Sequence, residues 1–122
     1  MQGISHTLTE VYNLLTWSDG WNGYDSCAAG YDTVIYASNW IVQLFLEVVD
    51  LGQKWMKPNV TASADGEVVF EWWNGTKKLT IYIGDQSAEY VKVWGTDIDT
   101  EMSDGNADLS SIRQSLWRWL IS

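Results

Sequence analysis

The sequence predicts an α+β fold with two N-terminal helices, a three- or four-stranded antiparallel β-meander and a C-terminal helix. Apolar residues recur with helical spacing in three segments, 7–16, 33–51 and 107–121, and alternate with polar residues between positions 59 and 94. A chain of 122 residues suits one domain, so we expect residues 1–122 to fold together with the helices packed on one sheet face.

The first predicted helix covers residues 7–16. Thr7 and Glu10 have the spacing of a capping box, which would place the helix start at Thr7. The expected buried stripe consists of Leu8, Val11, Tyr12 and Leu15. The glycines of the next segment, SDGWNGYDS at 18–26, are expected to end the helix, with Gly20 in a left-handed conformation.

The second predicted helix, 33–51, has Asp32 as a suitable N-cap and Gly52 as a suitable residue beyond its C-terminus. Its apolar face consists of Val34, Ile35, Ser38, Ile41, Val42, Phe45, Val48 and Val49. Other sides are apolar too, with Trp40, Leu44 and Leu51. We therefore expect burial on more than one side, by the sheet and another helix or by a second subunit.

Alternation of apolar and polar residues begins after Pro58 and predicts the strands. They are a short strand at 59–63, a strand with Val68, Phe70 and Trp72 on one face, a strand at 77–83 with Leu79, Ile81 and Ile83 on one face, and a strand at 88–94. Asp65-Gly66 and Asn74-Gly75 predict the turns between them. Residues 95–106 read as an acidic loop.

The C-terminal helix, roughly 107–121, is expected to bury one apolar face and to carry its two arginines on the polar side. The apolar face consists of Leu109, Ile112, Leu116, Trp119 and Leu120, and the arginines are Arg113 and Arg118.

The net charge of −9, from 16 acidic and 7 basic residues, argues against direct nucleic-acid binding. An acidic surface keeps a protein dissolved or steers it to a basic partner. The longest apolar stretch, at 40–49, is too short for a membrane span, and the N-terminus lacks the features of a signal peptide. We therefore expect a cytoplasmic protein that does not bind membranes.

Residues able to run a reaction are scarce. Cys27 is the sole cysteine and is expected to be a small buried residue, and the sole histidine, His6, is expected to face solvent. Glu71 stands beside two tryptophans, where a raised pKa would suit a glycosidase, but a cross-strand lysine such as Lys77, Lys78 or Lys92 is the simpler explanation. We predict no catalytic residues, no enzyme activity and no cofactor.

The acidic loop also raises the question of a metal. Its oxygen-bearing residues are Asp97, Asp99, Glu101, Asp104 and Asp108. An EF-hand counted from Asp97 would need glycine at its sixth position and glutamate at its twelfth, where this chain has Met102 and Asp108. We predict a solvated loop without a metal, and calcium binding stays open as the alternative.

Nine tryptophans predict either a dense aromatic core or an exposed aromatic face. Trp21 and Tyr24 are expected to brace a rigid corner, or to form a partner-binding loop built on it. Trp73, Tyr82 and Trp94 could form a stacking platform if their sheet face is open. The candidate binding residues are Trp21, Tyr24, Trp73, Tyr82, Trp94, Asp97, Asp99 and Glu101.

Three segments together resemble a family of small uncharacterised bacterial proteins, common in cyanobacteria and on mobile elements. They are WNGYDS at 21–26, KPNVTASADGEVVFEWW at 57–73 and KLTIYI at 78–83. The matching residues are Trp21, Gly23, Tyr24, Pro58, Asp65, Gly66, Glu71 and Trp72. Many members have prolines where this chain has Ala28, Ala29 and Gly30. The resemblance covers roughly 15–83 and implies the fold, but no activity.

Three functions remain open. The favoured one is a non-enzymatic protein-binding module, such as an accessory or inhibitor protein of the antitoxin or phage anti-defence type, whose partner is basic or itself binds nucleic acid. The second is a homo-oligomer, a dimer in the simplest case, formed through the long helix and the segment LWRWLIS at 116–122. The third is a small-ligand or carbohydrate binder that uses exposed aromatic rings.

Overall fold

A computed structural model describes residues 2–23 and 26–122 of the chain. The helices are α1 (Gln2–Asn13), extended by a 3-10 turn at Leu14–Thr16, α2 (Tyr31–Asp50) and α3 (Ser110–Ile121). The strands are β1 (Asn59–Ala62), β2 (Val68–Asn74), β3 (Lys77–Ile83), β4 (Ala88–Val93) and β5 (Met102–Asn106). The predicted α+β class is confirmed. The described part has five strands where three or four were predicted, and a single helix, α1, at the N-terminus, with α2 separate beyond a long loop.

The five strands form one antiparallel meander in the order β1-β2-β3-β4-β5. Phe70 at its centre is opposite Val60 on one side and Ile81 on the other, and Ile81 is opposite Tyr90. Because paired residues share a sheet face, this register places one row of side chains across four strands.

The helices cover one face of this sheet, as predicted. Its buried side chains join those of all three helices in a single hydrophobic core, and on β2 and β3 they are Val68, Phe70, Trp72, Leu79, Ile81 and Ile83. The sequence predicted that the three β2 residues share one face of their strand and that the three β3 residues share one face of theirs. Both predictions are confirmed. Alternate residues along these strands therefore point to the opposite face.

Tryptophans fill much of the core between the helices and the sheet. The Trp117 ring stacks on Trp55 at 5.3 Å between centroids and meets Trp72 edge-on at 5.8 Å. The indole N–H groups of Trp72 and Trp40 donate to the carbonyls of Met56 and Ala107, both at 2.8 Å. The dense aromatic core is thus one outcome of the tryptophan-rich composition.

Helix α1 starts at Gln2, five residues earlier than the Thr7 that the sequence predicted. The capping box at Thr7 and Glu10 is not a helix start, because Thr7 lies inside the helix and is buried. Ile4 extends the apolar pattern towards the N-terminus, so the buried stripe is shifted by one position from the predicted one. It consists of Ile4, Thr7, Val11 and Leu14, and leaves Tyr12 and Leu15 exposed.

Two further predictions about helix ends and faces were wrong. The N-cap of α2 is Gly30, and Asp32 lies in the first turn, although Gly52 does have the positive φ of 70° expected beyond the C-terminus. Leu109, predicted on the apolar face of the C-terminal helix, is the exposed N-cap of α3. Arg113, predicted on the polar side, is buried because it is the partner of a carboxylate on α2. None of the described helices combines the length and apolarity that crossing a membrane requires.

Strand β5 was missed altogether. It occupies the last five residues of the predicted acidic loop 95–106, where the sequence MSDGN has little strand preference. Its pairing with β4, from Met102 opposite Val93 to Asn106 opposite Glu89, makes it a strand through main-chain hydrogen bonds.

Candidate functional site

The five-stranded sheet has a second face, which points away from the helices. In the described residues, 2–23 and 26–122, the helices pack on the opposite face of the sheet, where the hydrophobic core lies. We call this second surface the open sheet face. By strand register it consists of Asn59, Thr61, Val69, Glu71, Trp73, Lys78, Thr80, Tyr82, Glu89, Val91, Val93, Met102, Asp104 and Asn106.

Trp73 is the most exposed aromatic ring of the open sheet face, with 56% of its surface accessible. It lies opposite Lys78 on β3, whose Nζ is 5.4 Å from the centre of the Trp73 ring. The same Nζ pairs with Glu71 Oε2 at 3.0 Å, which confirms a cross-strand lysine as the partner of Glu71. The Lys78 ammonium thus contacts both the Glu71 carboxylate and the Trp73 ring, and each contact favours the observed ring position modestly at this exposed site.

The half of the open sheet face formed by β4 and β5 is negatively charged. Glu89 and Asp104 are exposed there, and neither has an ion-pair partner among the residues that the structure describes. The one basic residue in these strands, Lys92, is opposite Leu79 and therefore points to the other face, where its Nζ lies 5.3 Å from the Trp119 ring. No positive charge of β4 or β5 offsets the two carboxylates.

The acidic turn between β4 and β5 lies at the same end of the sheet as Trp73, because β2 and β4 run in the same direction and end there. Two carboxylates of this turn accept hydrogen bonds from the backbone of the turn itself. Asp97 accepts the N–H of Asp99 at 3.0 Å, and Glu101 accepts the N–H of Asp97 at 3.2 Å. Among the described residues, no group of three or more potential ligands is placed to hold a metal ion.

The predicted stacking platform is divided between two faces. Trp73 and Tyr82 share the open sheet face, but Tyr82 is four residues along β3 from Lys78, roughly 13 Å away. Trp94 is two residues after Lys92, so its side chain points to the same helix-covered face as that of Lys92. Its ring lies 6.2 Å from that of Trp119. These three rings therefore do not form one surface.

Trp21 belongs to a corner that is remote from Trp73. Its indole N–H donates to the Cys27 carbonyl at 2.9 Å, and the Cys27 N–H donates to Ala64 in the β1–β2 turn at 2.7 Å. Gly20 has the predicted left-handed conformation, with φ of 77°, although the helical turns already end at Thr16. These bonds attach the loop to the opposite end of the sheet.

The predictions for Cys27 and Tyr24 also concern this corner. Cys27 is exposed and not buried as expected, because its backbone and not its side chain makes the contact with the turn. Asp19 accepts the N–H of Ala28 at 3.0 Å, which closes the loop on itself. Tyr24, a predicted binding residue, and Asp25 lie outside the described residues.

A polar network that the sequence did not suggest joins α2, α3 and the end of β5. Arg113 donates from Nε to Glu47 Oε1 at 2.8 Å, and Tyr36 donates its hydroxyl to Asp108. The Ala88 N–H also donates to Asp108 at 2.9 Å. A pocket of about 200 Å³ lies beside these groups.

The charges in this network explain its pKa shifts. Burial would raise the pKa of the Glu47 carboxyl, but hydrogen bonds from Arg113 and Ser110 and the guanidinium charge lower it overall. The pKa of Asp108 is lowered in the same way, against burial, by hydrogen bonds chiefly from Tyr36 and Asn106. The hydrogen bond to Asp108, burial and the Asp108 charge raise the pKa of Tyr36. Each shifted group thus has its partner within the fold.

A scan against protein-family models, a search of curated proteins and a search of solved structures each gave no match. The resemblance to small bacterial proteins, which depends on residues between 15 and 83, therefore stays a prediction.

Proposed function

We propose that this chain is a non-enzymatic binding module that holds a basic protein against its open sheet face. The observation that supports the proposal most strongly is Trp73, an exposed ring held by Lys78 on a sheet face that the described helices leave uncovered. Tryptophan is one of the three residue types, with tyrosine and arginine, that are enriched among those that dominate binding energy at protein interfaces.

The shape of the surface suits a protein better than a small molecule. The face is a five-stranded sheet, and the partly buried Val93 and Met102 continue the row that Trp73 begins, beyond Lys78. Partly buried Val91 lies in the neighbouring row, opposite Thr80. Protein interfaces that form and dissociate have a comparable mixture of apolar and polar side chains.

The charges of the β4–β5 half favour a basic partner. Glu89 and Asp104 on the face, and Asp97 and Asp99 in the acidic turn, would meet lysines and arginines of the partner. Complementary charge mainly speeds association and selects the correct partner. A basic surface that itself binds nucleic acid is the partner class that fits, so the chain would act as an accessory or inhibitor protein in the cytoplasm, in the manner of an antitoxin or a phage anti-defence factor.

The titratable groups with shifted pKa values favour binding over catalysis, because their hydrogen bonds connect parts of the fold. The groups with shifted pKa values, Tyr36, Glu47 and Asp108, have hydrogen-bond partners that join secondary-structure elements. Such shifts arise in structural networks as well as in active sites.

A carbohydrate or another small ligand is the second candidate, because Trp73 offers a ring for stacking beside the polar pair Glu71 and Lys78. Titration of a sugar panel against intrinsic fluorescence tests it. Quenching that disappears in Trp73→Phe, with saturable binding, would favour this candidate over the protein partner.

The test of the main proposal is quantitative capture from a lysate of the organism that makes the chain. The baits are the wild-type chain, Trp73→Ala, the double variant Glu89→Gln/Asp104→Asn, and Tyr12→Ala as a control. Tyr12 is 45% exposed against 56% for Trp73, but it lies on α1. We expect a basic protein to be retained by the wild-type chain and by Tyr12→Ala, and to be lost from the other two. Equal retention by all four baits, or no retained protein, contradicts the proposal.

A further inference from the structure

Two tryptophans line a cavity of about 320 Å³ just beyond the first helix. Its walls are the side chains of Trp17 and Trp21, together with Thr16 and Ser18. The centres of the two rings are 4.8 Å apart, and their planes are tilted by 51°. Both tryptophans are half-buried, so part of each ring is open to solvent. The volume lies near the lower end of the range for pockets that hold small ligands, about 300–1,000 Å³.

Contacts with the rest of the fold position both rings at the cavity. The Trp17 N–H donates to the Leu14 carbonyl at 3.2 Å, which closes the 3-10 turn. The Trp21 indole N–H donates to the Cys27 carbonyl at 2.9 Å, and both rings pack against the hydrophobic core. Because its N–H is already bonded, the Trp21 ring offers a ligand its aromatic surface and no hydrogen-bond donor.

The cavity lies at the negative end of a helix dipole. Helix α1 and the 3-10 turn that extends it end at Thr16, which is part of the cavity wall. Carbonyl groups at a helix C-terminus carry partial negative charge and favour a nearby cation. Neither α1 nor the 3-10 turn has a basic residue in its last turn. Lys57 does contact α1, but it pairs with Glu10, six residues before Thr16.

The two rings also lack the basic neighbour that other tryptophans of this chain have. Trp73, Trp94 and Trp119 each have a lysine Nζ at 6.0 Å or less from the ring centre. In the part of the chain that the structure describes, no lysine or arginine lies over Trp17 or Trp21. All seven lysines and arginines follow residue 53 in the sequence. Since the faces of indole rings attract cations, a cation from outside the chain is the group that this cavity favours.

We propose that the cavity beside Trp17 and Trp21 binds a quaternary ammonium group, whose methyl groups and spread charge suit aromatic walls. A primary ammonium or a metal ion needs oxygen atoms on several sides, whereas two of the four walls here are indole rings. A neutral sugar would gain nothing from the negative end of the helix. The cavity lies in the corner remote from Trp73, so this site does not depend on the proposed function.

The first test is calorimetric titration of the wild-type chain with two cationic probes and their matched controls. One probe is choline, with its uncharged carbon isostere 3,3-dimethylbutan-1-ol. The other is a short peptide that contains trimethyllysine, with the same peptide unmethylated. We expect a cationic probe to bind about fivefold or more tightly than its control, because two rings contribute. Tighter binding of choline indicates a free small molecule, and tighter binding of the peptide indicates a methylated protein. No binding of either probe, or equal binding of probe and control, overturns the proposal.

The second test changes the cavity itself and repeats the titration. Trp17→Leu removes one aromatic wall and should weaken binding of the better probe about fivefold, whereas Trp94→Leu, at another half-buried tryptophan, should leave it unchanged. Ser18 is exposed, so Ser18→Lys should fold normally while it places a competing cation at the rings and abolishes binding. Ser18→Gln is its uncharged control and should still bind. Circular dichroism checks that each variant is folded. Equal binding by Ser18→Lys and Ser18→Gln, or by the two leucine variants, overturns the site.

Discussion

Arg113 of α3 and Glu47 of α2 form a two-bonded ion pair, with Nε 2.8 Å from Oε1 and the terminal nitrogen 2.9 Å from Oε2. The third arm of the guanidinium donates to the Asp108 carbonyl at 2.6 Å. The pair is nearly buried and joins residues 66 positions apart, so it fixes α3 against the middle of the helix layer.

Breaking this pair should be costly. Arg113→Met leaves the Glu47 carboxylate without its counter-charge, and we expect a loss of about 3–5 kcal/mol in the free energy of unfolding. The surface pair Lys57 and Glu10 provides the comparison, because Lys57→Met should change stability by about 1 kcal/mol or less. Urea denaturation of both variants measures the difference. Similar losses in the two variants would mean that the buried pair does not hold α3.

Stability should also depend on acid pH through the same network. Because the pKa values of Glu47 and Asp108 are lower in the folded chain than their ordinary 4.5 and 3.8, the unfolded chain takes up protons first as the pH falls. The stabilisation is therefore complete above about pH 4.5 and is lost as the pH falls through the folded values. Urea midpoints between pH 7 and pH 3 should decrease less steeply for Glu47→Gln than for the wild-type chain. Parallel curves would show that Glu47 does not contribute.

Two core tryptophans should respond differently to the same substitution. Trp72 donates its indole N–H to Met56, whereas Trp117 Nε1 is buried with no hydrogen-bond partner among the described residues. Trp72→Phe leaves the Met56 carbonyl without its bond and should lose about 1–3 kcal/mol beyond the packing loss. Trp117→Phe loses packing alone, so we expect it to be the milder variant in thermal unfolding. The reverse order would contradict the assigned hydrogen bonds.

The contact between the loop that contains Cys27 and Ala28 and the β1–β2 turn can be tested at Gly66. Gly66 has φ of 83°, and a Cβ there would lie 3.1 Å from the Ala28 carbonyl oxygen, whereas Gly75 has φ of 62° with open space around it. Alanine at either position should cost about 1–2 kcal/mol for the left-handed backbone. Gly66→Ala should lose more, because Ala28 must also move. Chemical denaturation compares the two, and equal losses would mean that the corner is not held against the turn.

Local patterns predicted the centre of the fold well. The β2–β3 hairpin follows from alternation in both strands and from Asn74-Gly75, and the placement of Trp73 and Tyr82 on the face opposite Phe70 and Ile81 follows from the same alternation. Both features depend on neighbours in the chain, so one sequence suffices to find them.

The features that the sequence did not predict depend on distant pairing. Strand β5 exists because β4 offers it a main-chain partner, and the face taken by Trp94 depends on the register of β4 against β3. Arg113 was assigned to a polar helix face because nothing near it in the chain indicates Glu47. The sequence identified Trp73 as a candidate binding residue. It did not show whether a helix covers the sheet face on which Trp73 lies.

The most direct test of the proposed function is hydroxyl-radical labelling of the free chain and of the captured complex, read residue by residue with mass spectrometry. We expect Trp73 to be labelled strongly in the free chain and protected in the complex, while exposed Tyr12 is labelled equally in both. Equal labelling of Trp73 in the two samples, or protection of Tyr12 in its place, would show that the partner binds elsewhere and that the open sheet face is not the binding surface.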